Sequence, residues 1–185
     1  DQPYRLYVPA AYDGTRAFPL VVAMHGTGGN ENSLFEDKRI PPGELIRVAE
    51  KHGVLLVSPN GRGTTEYRGT GENDIFCVLA DVQRRYRVDP DRVYLAGQSM
   101  GGTGAAYLAL HHPDLFAASA PLAAAYSFPW LAENGQHVPF WWIQGAADSD
   151  FYLVGVSEGV ERMRALGQDV RYDLIPNEAH PAGLV

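Results

Sequence analysis

The sequence predicts an α/β fold in which a mostly parallel central sheet carries helices on both faces. Short apolar runs, typical of strands buried on both sides, alternate with helical segments from residue 20 onward. The chain has 185 residues, of which 45% are hydrophobic and 20% charged, and this suits one domain with a substantial core. Because no repeat, low-complexity tract or linker divides the chain, we expect residues 1–185 to form a single domain.

The first half of the chain predicts three strands and two helices. YRLYVP alternates like a half-buried strand, whereas FPLVVAMHG and VLLVSP are continuous apolar runs typical of buried strands. Two other segments have apolar residues at helical spacing, and a glycine stops the first of them. The predicted strands are 4–9, 18–26 and 54–59, and the predicted helices are 43–52 and 74–87. The glycine-rich segment 60–73 between them is predicted to be a long loop.

The second half of the chain continues the alternation of strands and helices. A turn leads into a strand over 89–97, and further strands are predicted over 116–124, 138–145 and 169–176. The intervening helices are predicted over 100–112, stopped before Pro113, and over 155–166, ended by Gly167. Trp141 and Trp142 are adjacent on a strand and therefore face opposite sides, so at least one should lie in the core.

Charge and composition exclude several classes of partner. The formal net charge of −7 argues against nucleic acid or an anionic membrane surface as a ligand. No apolar stretch reaches the roughly 20 residues that a membrane-spanning helix needs. The single cysteine, Cys77, excludes an internal disulfide, and its apolar neighbours predict a buried thiol. The chain starts without an initiator methionine or a signal peptide, so we expect a trimmed or mature form, secreted or cytoplasmic.

The segment LAGQSMGG places Ser99 among glycines where a predicted strand meets a predicted helix. Gly97 to Gly101 match G-x-S-x-G, the nucleophile elbow, although a glycine-rich turn without chemistry can show the same pattern. A strand that turns abruptly into a helix strains the backbone at the serine, and side chains at the flanking glycines would collide. The turn exposes the hydroxyl, and the N-terminus of the helix favours developing negative charge. Ser99 is therefore predicted to be a nucleophile.

A hydrolytic serine also needs donors for the oxyanion, and MHGTGG (24–29) ends another predicted strand. The backbone N–H groups of Thr27 and Met100 are the predicted pair of donors. This assignment makes His25 a structural residue of the turn and not the catalytic base.

The base and its orienting acid should follow the serine in the chain, in the order aspartate then histidine. His180 follows the last predicted strand, at the sheet edge where ligands bind in such folds, and His137 is its main rival among the six histidines. Asp148 and Asp150 both follow the strand over 138–145, and either could orient an imidazole. Two carboxylates without further ligands are poor evidence for a metal, so no metal site is predicted.

Together these motifs resemble the α/β-hydrolase superfamily and, more narrowly, esterases of the feruloyl esterase and polyhydroxybutyrate-depolymerase-like (phospholipase/carboxylesterase) group. The resemblance covers nearly the whole chain and rests on YVPAAYDGTRAFPLVVAMHGTGGNE, YRVDPDRVYLAGQSMGGTGAAYLALHHPDLFAA, GAADSD and the late EAH. It implies an α/β-hydrolase fold without a large cap domain. It also implies Asp148 as the acid, because residues 145–148 match the G-x-x-D turn of that group. Relatives usually continue into a closing helix after the histidine, so we expect either that this chain is trimmed or that His180 is less firmly supported than in relatives.

These expectations combine into a serine carboxylesterase that works through an acyl-enzyme and needs no metal or organic cofactor. Ser99 would attack the ester, His180 would accept its proton and Asp148 would orient His180. The alternatives are a serine peptidase or amidase with the same triad, or a non-catalytic binding protein of the same fold. The substrate is expected to be a small or polymer-linked ester, whose identity the sequence leaves open together with the oligomeric state.

Aromatic residues between two predicted strands are candidates for the acyl pocket. AYSFPWLAENG (125–135) brings Tyr126, Phe128 and Trp130 near the expected site, and packing of this loop onto the core is the alternative. Tyr67 and Arg68, in the long loop, are weaker candidates for the border of the cleft.

Overall fold

The computed structural model describes residues 2–37 and 41–180, which form a seven-stranded sheet with helices packed against it. The strands are β1 (Tyr4–Tyr7), β2 (Phe18–Met24), β3 (Leu55–Pro59), β4 (Val88–Gln98), β5 (Ala118–Leu122), β6 (Phe140–Gly145) and β7 (Val170–Ile175). The helices are α1 (Ser33–Glu36), α2 (Glu44–His52), α3 (Thr70–Arg85), α4 (Met100–His111) and α5 (Asp150–Ala165), with a 3₁₀ helix over Pro129–Gly135. No helix in the described ranges has the length and apolar character to span a bilayer.

The strand order is β1-β3-β2-β4-β5-β6-β7, and every neighbouring pair is parallel except β1 with β3. The prediction of a mostly parallel sheet is therefore confirmed. From β2 the chain first moves outward to β3, and then returns to the other side of β2 to form β4. This reversal creates a switch point between β2 and β4, and ligands of open α/β sheets bind outside the carboxyl ends of the strands there.

The core lies on both faces of the sheet, as alternation along β2 shows. Leu20, Val22 and Met24 belong to the larger hydrophobic cluster, which also holds the buried faces of α3, α4 and α5. Val21 and Ala23 point to the other face and join a smaller cluster with Leu45 of α2 and other apolar side chains. Helices therefore cover both faces, as expected of strands that are apolar along their whole length.

The seven predicted strands are all present, and their ends agree within two residues. Two helices begin earlier than predicted, α3 at Thr70 and α5 at Asp150, because their first turns lack the apolar spacing that revealed the later turns. Helix α1 and the 3₁₀ helix have four and seven residues, too few to produce a periodic signal. Trp142 is buried and Trp141 exposed, as their opposite orientations on β6 require.

The prediction of a buried thiol at Cys77 is wrong, because the side chain is exposed on α3. The buried face of this helix is formed by Ile75, Val78, Leu79 and Val82, and position 77 lies on the opposite side of the helix. Apolar neighbours in sequence therefore do not share its environment.

Candidate active site

Ser99 is the single residue between the end of β4 and the start of α4. Its backbone has φ 57° and ψ −117°, a conformation that residues other than glycine rarely adopt. Two hydrogen bonds hold it there, from the Ser99 N–H to the Leu122 carbonyl (2.8 Å) and from the Thr103 N–H to the Ser99 carbonyl (2.9 Å). The strained turn is thus fixed by β5 on one side and by the first turn of α4 on the other.

The glycines around Ser99 allow three backbone segments to approach closely. A Cβ at Gly97 would lie 2.3 Å from the Gly101 carbonyl oxygen, and a Cβ at Gly101 would lie 2.1 Å from the Met24 carbonyl oxygen. At Gly102 the nearest atom would be the Leu122 carbonyl oxygen, at 2.4 Å. Because these neighbours are backbone atoms that cannot move aside, the sharp turn requires glycine at all three positions.

Ser99, His180 and Asp148 form a continuous chain of hydrogen bonds. The Ser99 Oγ lies 2.9 Å from His180 Nε2, and His180 Nδ1 lies 2.9 Å from Asp148 Oδ2. An ionised carboxylate only accepts, so the Nδ1–H of His180 donates to Asp148. In the neutral imidazole Nε2 then carries the lone pair, and the Ser99 hydroxyl donates to it. This arrangement can remove the hydroxyl proton as the serine oxygen attacks.

The structure brings Asp148 and not Asp150 to the histidine. Asp148 is nearly buried, and its Oδ2 also accepts from Gln144 Nε2 at 2.8 Å, while its Oδ1 accepts from the Ser149 N–H at 2.8 Å. Asp150 is exposed at the start of α5. His137, the rival base, is exposed just before β6, at the opposite edge of the sheet from the carboxyl ends of the strands.

Two residues that hold the hydrogen-bonded side chains of Asp148 and His180 in place were not identified from the sequence. Gln144 is fully buried near the end of β6. It is a polar residue in the otherwise apolar strand FWWIQG, and this contrast could have identified it from the sequence. Tyr152 packs its ring against His180, with 4.4 Å between ring centroids, and nothing in its sequence context marks it. Gly145 completes this support, since a Cβ there would lie 1.8 Å from the Ala179 carbonyl oxygen.

His25 is fully buried behind the turn that contains Thr27. Its Nδ1 lies 2.8 Å from the Gly26 carbonyl oxygen and its Nε2 lies 2.8 Å from the Asn60 carbonyl oxygen. The Tyr67 hydroxyl donates to the His25 carbonyl at 3.1 Å, and burial strongly raises the pKa of that tyrosine. Tyr67 is therefore a core residue that supports the turn, and the expectation that it borders the cleft is wrong.

Of the two residues predicted to supply oxyanion donors, Thr27 lines the same cleft as Ser99, and Met100 follows Ser99 directly in the chain. Thr27 is exposed in a turn that the hydrogen bond from the Gly29 N–H to the Gly26 carbonyl closes (3.1 Å). Met100 is the first residue of α4, and N–H groups in the first turn of a helix have no acceptor within the helix. A cleft of about 540 Å³ contains Thr27, Ser99 and His180 among its lining residues.

The rest of this cleft is mainly polar, with Asn30, Ser33, Glu36 and Asp37 along its wall. None of the three predicted pocket aromatics belongs to its lining. Phe128 packs in the core, which was the alternative for this loop, while Trp130 is 72% exposed and Tyr126 is partly exposed. Ring contacts connect Tyr126 to Phe151 and Phe151 to Tyr152, so the aromatic row reaches His180 from the side of α5.

Comparisons with known proteins agree with this geometry. The family model described as "Putative esterase" matches residues 1–151. A "Probable feruloyl esterase C" of Aspergillus flavus is 28% identical over 104 residues, 55% of this chain and 38% of its own. The "Putative esterase NocK" of Nocardia uniformis subsp. tsuyamanensis is 30% identical over 179 residues, 90% of this chain and 51% of its own.

Solved structures share the fold. A ferulic acid esterase superposes with a TM-score of 0.81 and 19% identity, covering 97% of this chain and 85% of its own. The two curated relatives are longer proteins, and the chain spans 38% of the length of one and 51% of the other.

Proposed function

This chain belongs to the esterase family of α/β hydrolases, and on that premise we propose that it is a serine carboxylesterase whose triad is Ser99, His180 and Asp148. The observation that carries the proposal is the unbroken hydrogen-bond chain from Asp148 through His180 to Ser99. The position of Ser99 on a strained turn, beside a cleft large enough for a small ester, supports the same role.

In the acylation step the Ser99 oxygen attacks the carbonyl carbon of the ester while His180 Nε2 takes the hydroxyl proton. The carbonyl oxygen becomes an oxyanion, which the N–H groups of Thr27 and Met100 stabilise by hydrogen bonds. His180 then gives its proton to the leaving alcohol, and the acyl group remains on Ser99. Asp148 keeps the imidazole in the tautomer that accepts at Nε2, and it stabilises the imidazolium that forms.

Deacylation repeats the same steps with water as the nucleophile. His180 removes a proton from the water as it attacks the acyl carbon, and the oxyanion forms again in the same hole. His180 then returns the proton to the Ser99 oxygen as its bond to the acyl carbon breaks, which releases the carboxylic acid. In this proposed cycle His180 accepts and gives back every proton that is transferred.

Hydrolysis of p-nitrophenyl acetate and butyrate by wild type and Ser99→Ala tests the proposal. We expect turnover by the wild type and a loss of kcat of at least about 10³-fold in Ser99→Ala, since a triad without its nucleophile keeps only oxyanion-hole catalysis. Ser157→Ala, at a partly exposed position on α5 outside the cleft, is the matched control and should keep full activity. Equal activity in the folded Ser99→Ala, checked by circular dichroism, would remove Ser99 from the mechanism.

The acyl and alcohol preference is a separate question. Relatives named feruloyl esterases justify methyl ferulate as a third substrate. Matched amides belong in the same panel, because a triad of this kind also serves peptidases and amidases. Because an ester is intrinsically more reactive than its amide, turnover of the ester without detectable turnover of the amide supports a carboxylesterase, and measurable turnover of the amide would favour an amidase.

A further inference from the structure

A second cluster of reactive side chains lies where α3 begins and α4 ends, outside the residues that line the cleft. Glu72 comes from the first turn of α3, and His111 and His112 come from the end of α4. Among the residues that the structure describes, this is the one group of three or more potential metal ligands with donor atoms within 4.8 Å of one another. The proposed ester hydrolysis makes no use of it.

The two imidazoles converge on a single carboxylate oxygen. His111 Nδ1 lies 2.9 Å and His112 Nε2 lies 2.6 Å from Glu72 Oε1. Consecutive residues inside a helix point about 100° apart and do not face one another. Here the backbone leaves the helix at His112, with φ −131° and ψ 62°, and this turns the second ring toward the same oxygen.

Neighbouring aromatic rings fix the orientation of both imidazoles. Phe76 meets His112 edge to face, with ring centroids 4.7 Å apart, and Tyr107 packs against His111 at 4.9 Å. Metal ligands in proteins are typically held in this way by a surrounding layer of side chains.

The carboxylate of Glu72 lies between the two imidazoles, and its side chain is only 14% exposed. The cluster thus offers one negative oxygen and two imidazole nitrogens, and the partial exposure of His111 leaves a path from solvent.

We propose that Glu72, His111 and His112 bind a divalent transition-metal ion of the Zn²⁺ class. Two imidazole nitrogens and one carboxylate oxygen, with water in the fourth position, form a ligand set that Zn²⁺ accepts, whereas Ca²⁺ and Mg²⁺ prefer oxygen ligands. The ion takes the place of the hydrogens on His111 Nδ1 and His112 Nε2 that point at Glu72. In the bound state His111 therefore carries its proton on Nε2, and His112 carries its proton on Nδ1. Such an ion ties the start of α3 to the end of α4 and stabilises the fold.

Calorimetric titration of the chelator-treated full chain with ZnCl₂ tests the proposal directly. The measurements use a Cys77→Ser background, because an exposed thiol is itself a zinc ligand. We expect one Zn²⁺ per chain, with an affinity at least about 10-fold lower in both His112→Ala and Glu72→Gln. His52→Ala and His137→Ala, which remove exposed histidines outside the cluster, should leave the affinity unchanged.

Thermal unfolding and a second probe ion complete the test. Zn²⁺ should raise the Tm of wild type and of both control variants, and it should not raise the Tm of the cluster variants. Co²⁺ should give the visible absorption of a tetrahedral site only where Glu72, His111 and His112 are intact. Circular dichroism checks whether each variant is folded, and the near-isosteric Glu72→Gln keeps the test decisive if His112→Ala does not fold.

Three results would overturn the proposal. The first is no Zn²⁺ binding by the folded wild type at millimolar concentration, and the second is unchanged affinity in folded Glu72→Gln. The third is loss of the bound ion in His180→Ala with retention in the cluster variants, which would assign the zinc to the histidine beside Ser99.

Discussion

At the scale of single residues, the candidate site depends on side chains that are each held by several partners. Asp148 accepts from His180, Gln144 and the Ser149 N–H, and His180 is in turn packed against Tyr152. Ser99 keeps an unfavourable backbone conformation, at a cost of about 1–3 kcal/mol, because its neighbours leave no alternative. In the proposed mechanism these side chains are therefore positioned before any substrate arrives, and their supports should matter for rate.

Gln144→Met tests such a support, since it keeps the volume of the side chain and removes the hydrogen bond to Asp148. We expect kcat for p-nitrophenyl acetate to fall about 10-fold with little change in KM, because Asp148 can then rotate away from His180. Exposed Gln83→Met on α3 is the control for the substitution itself. A variant whose kcat matches that of wild type would show that Asp148 is held without Gln144.

At the scale of elements, the turn between β4 and α4 exists only because backbone segments approach one another closely. Parallel strands β2, β4 and β5 bring the carbonyls of Met24 and Leu122 against the glycines of α4. A different set of contacts holds the outer part of the sheet, where β1 at one edge is connected to α3 by the Tyr4 hydroxyl, which donates to Asp81 at 2.6 Å.

Gly101→Ala should be among the most damaging single substitutions in this chain. Its Cβ would lie 2.1 Å from the Met24 carbonyl oxygen, so α4 must move away from β2 and carry Ser99 with it. We expect a loss of at least about 3 kcal/mol in the free energy of unfolding, measured with urea, and loss of esterase activity. Gly14→Ala is the contrast, because no atom lies within 4 Å of its Cβ and only the positive φ opposes it.

The contact between β1 and α3 should make the stability of the fold depend on pH in a definite direction. Hydrogen bonds from Tyr4 and then from Arg84 lower the pKa of Asp81 from 3.8 to about 2. The folded state therefore has the lower pKa, so the contact stabilises the fold above about pH 4 and is lost as the pH falls toward 2.

Asp81→Asn should consequently lower the Tm at pH 6, and its difference from wild type should shrink as the pH is lowered from 4 to 2. Exposed Asp114→Asn is the control, and its Tm difference should be small at every pH. A Tm difference for Asp81→Asn that is the same at pH 6 and pH 2 would contradict the assignment.

At the scale of the whole molecule, the strands and the order of the site residues could be predicted from the sequence. Apolar runs in buried parallel strands are continuous, and G-x-S-x-G marks the turn at Ser99 by the glycines that its geometry demands. His180 could be selected because carboxyl ends of parallel strands meet at one edge of the sheet. That residues 1–185 form one domain remains our proposal.

The rest depended on three-dimensional contacts that sequence spacing does not encode. Asp148 and Asp150 are two residues apart, and the residues alone did not separate them before the resemblance to a G-x-x-D turn was used. Tyr126, Phe128 and Trp130 were expected in a pocket, but a loop's path over the core decides which ring is buried. Glu72 meets His111 and His112 across 39 and 40 residues, which only the packing of α3 against α4 reveals.

The exposed side chain of Cys77 has a practical consequence. It is the single cysteine of the chain and does not line the cleft, so a maleimide reagent should attach one fluorophore or surface linker per molecule without blocking substrate entry. Mass spectrometry of the conjugate should show a single adduct and none in Cys77→Ser. The protein thus carries its own attachment point for oriented immobilisation, and every immobilised molecule would present Ser99 in the same direction.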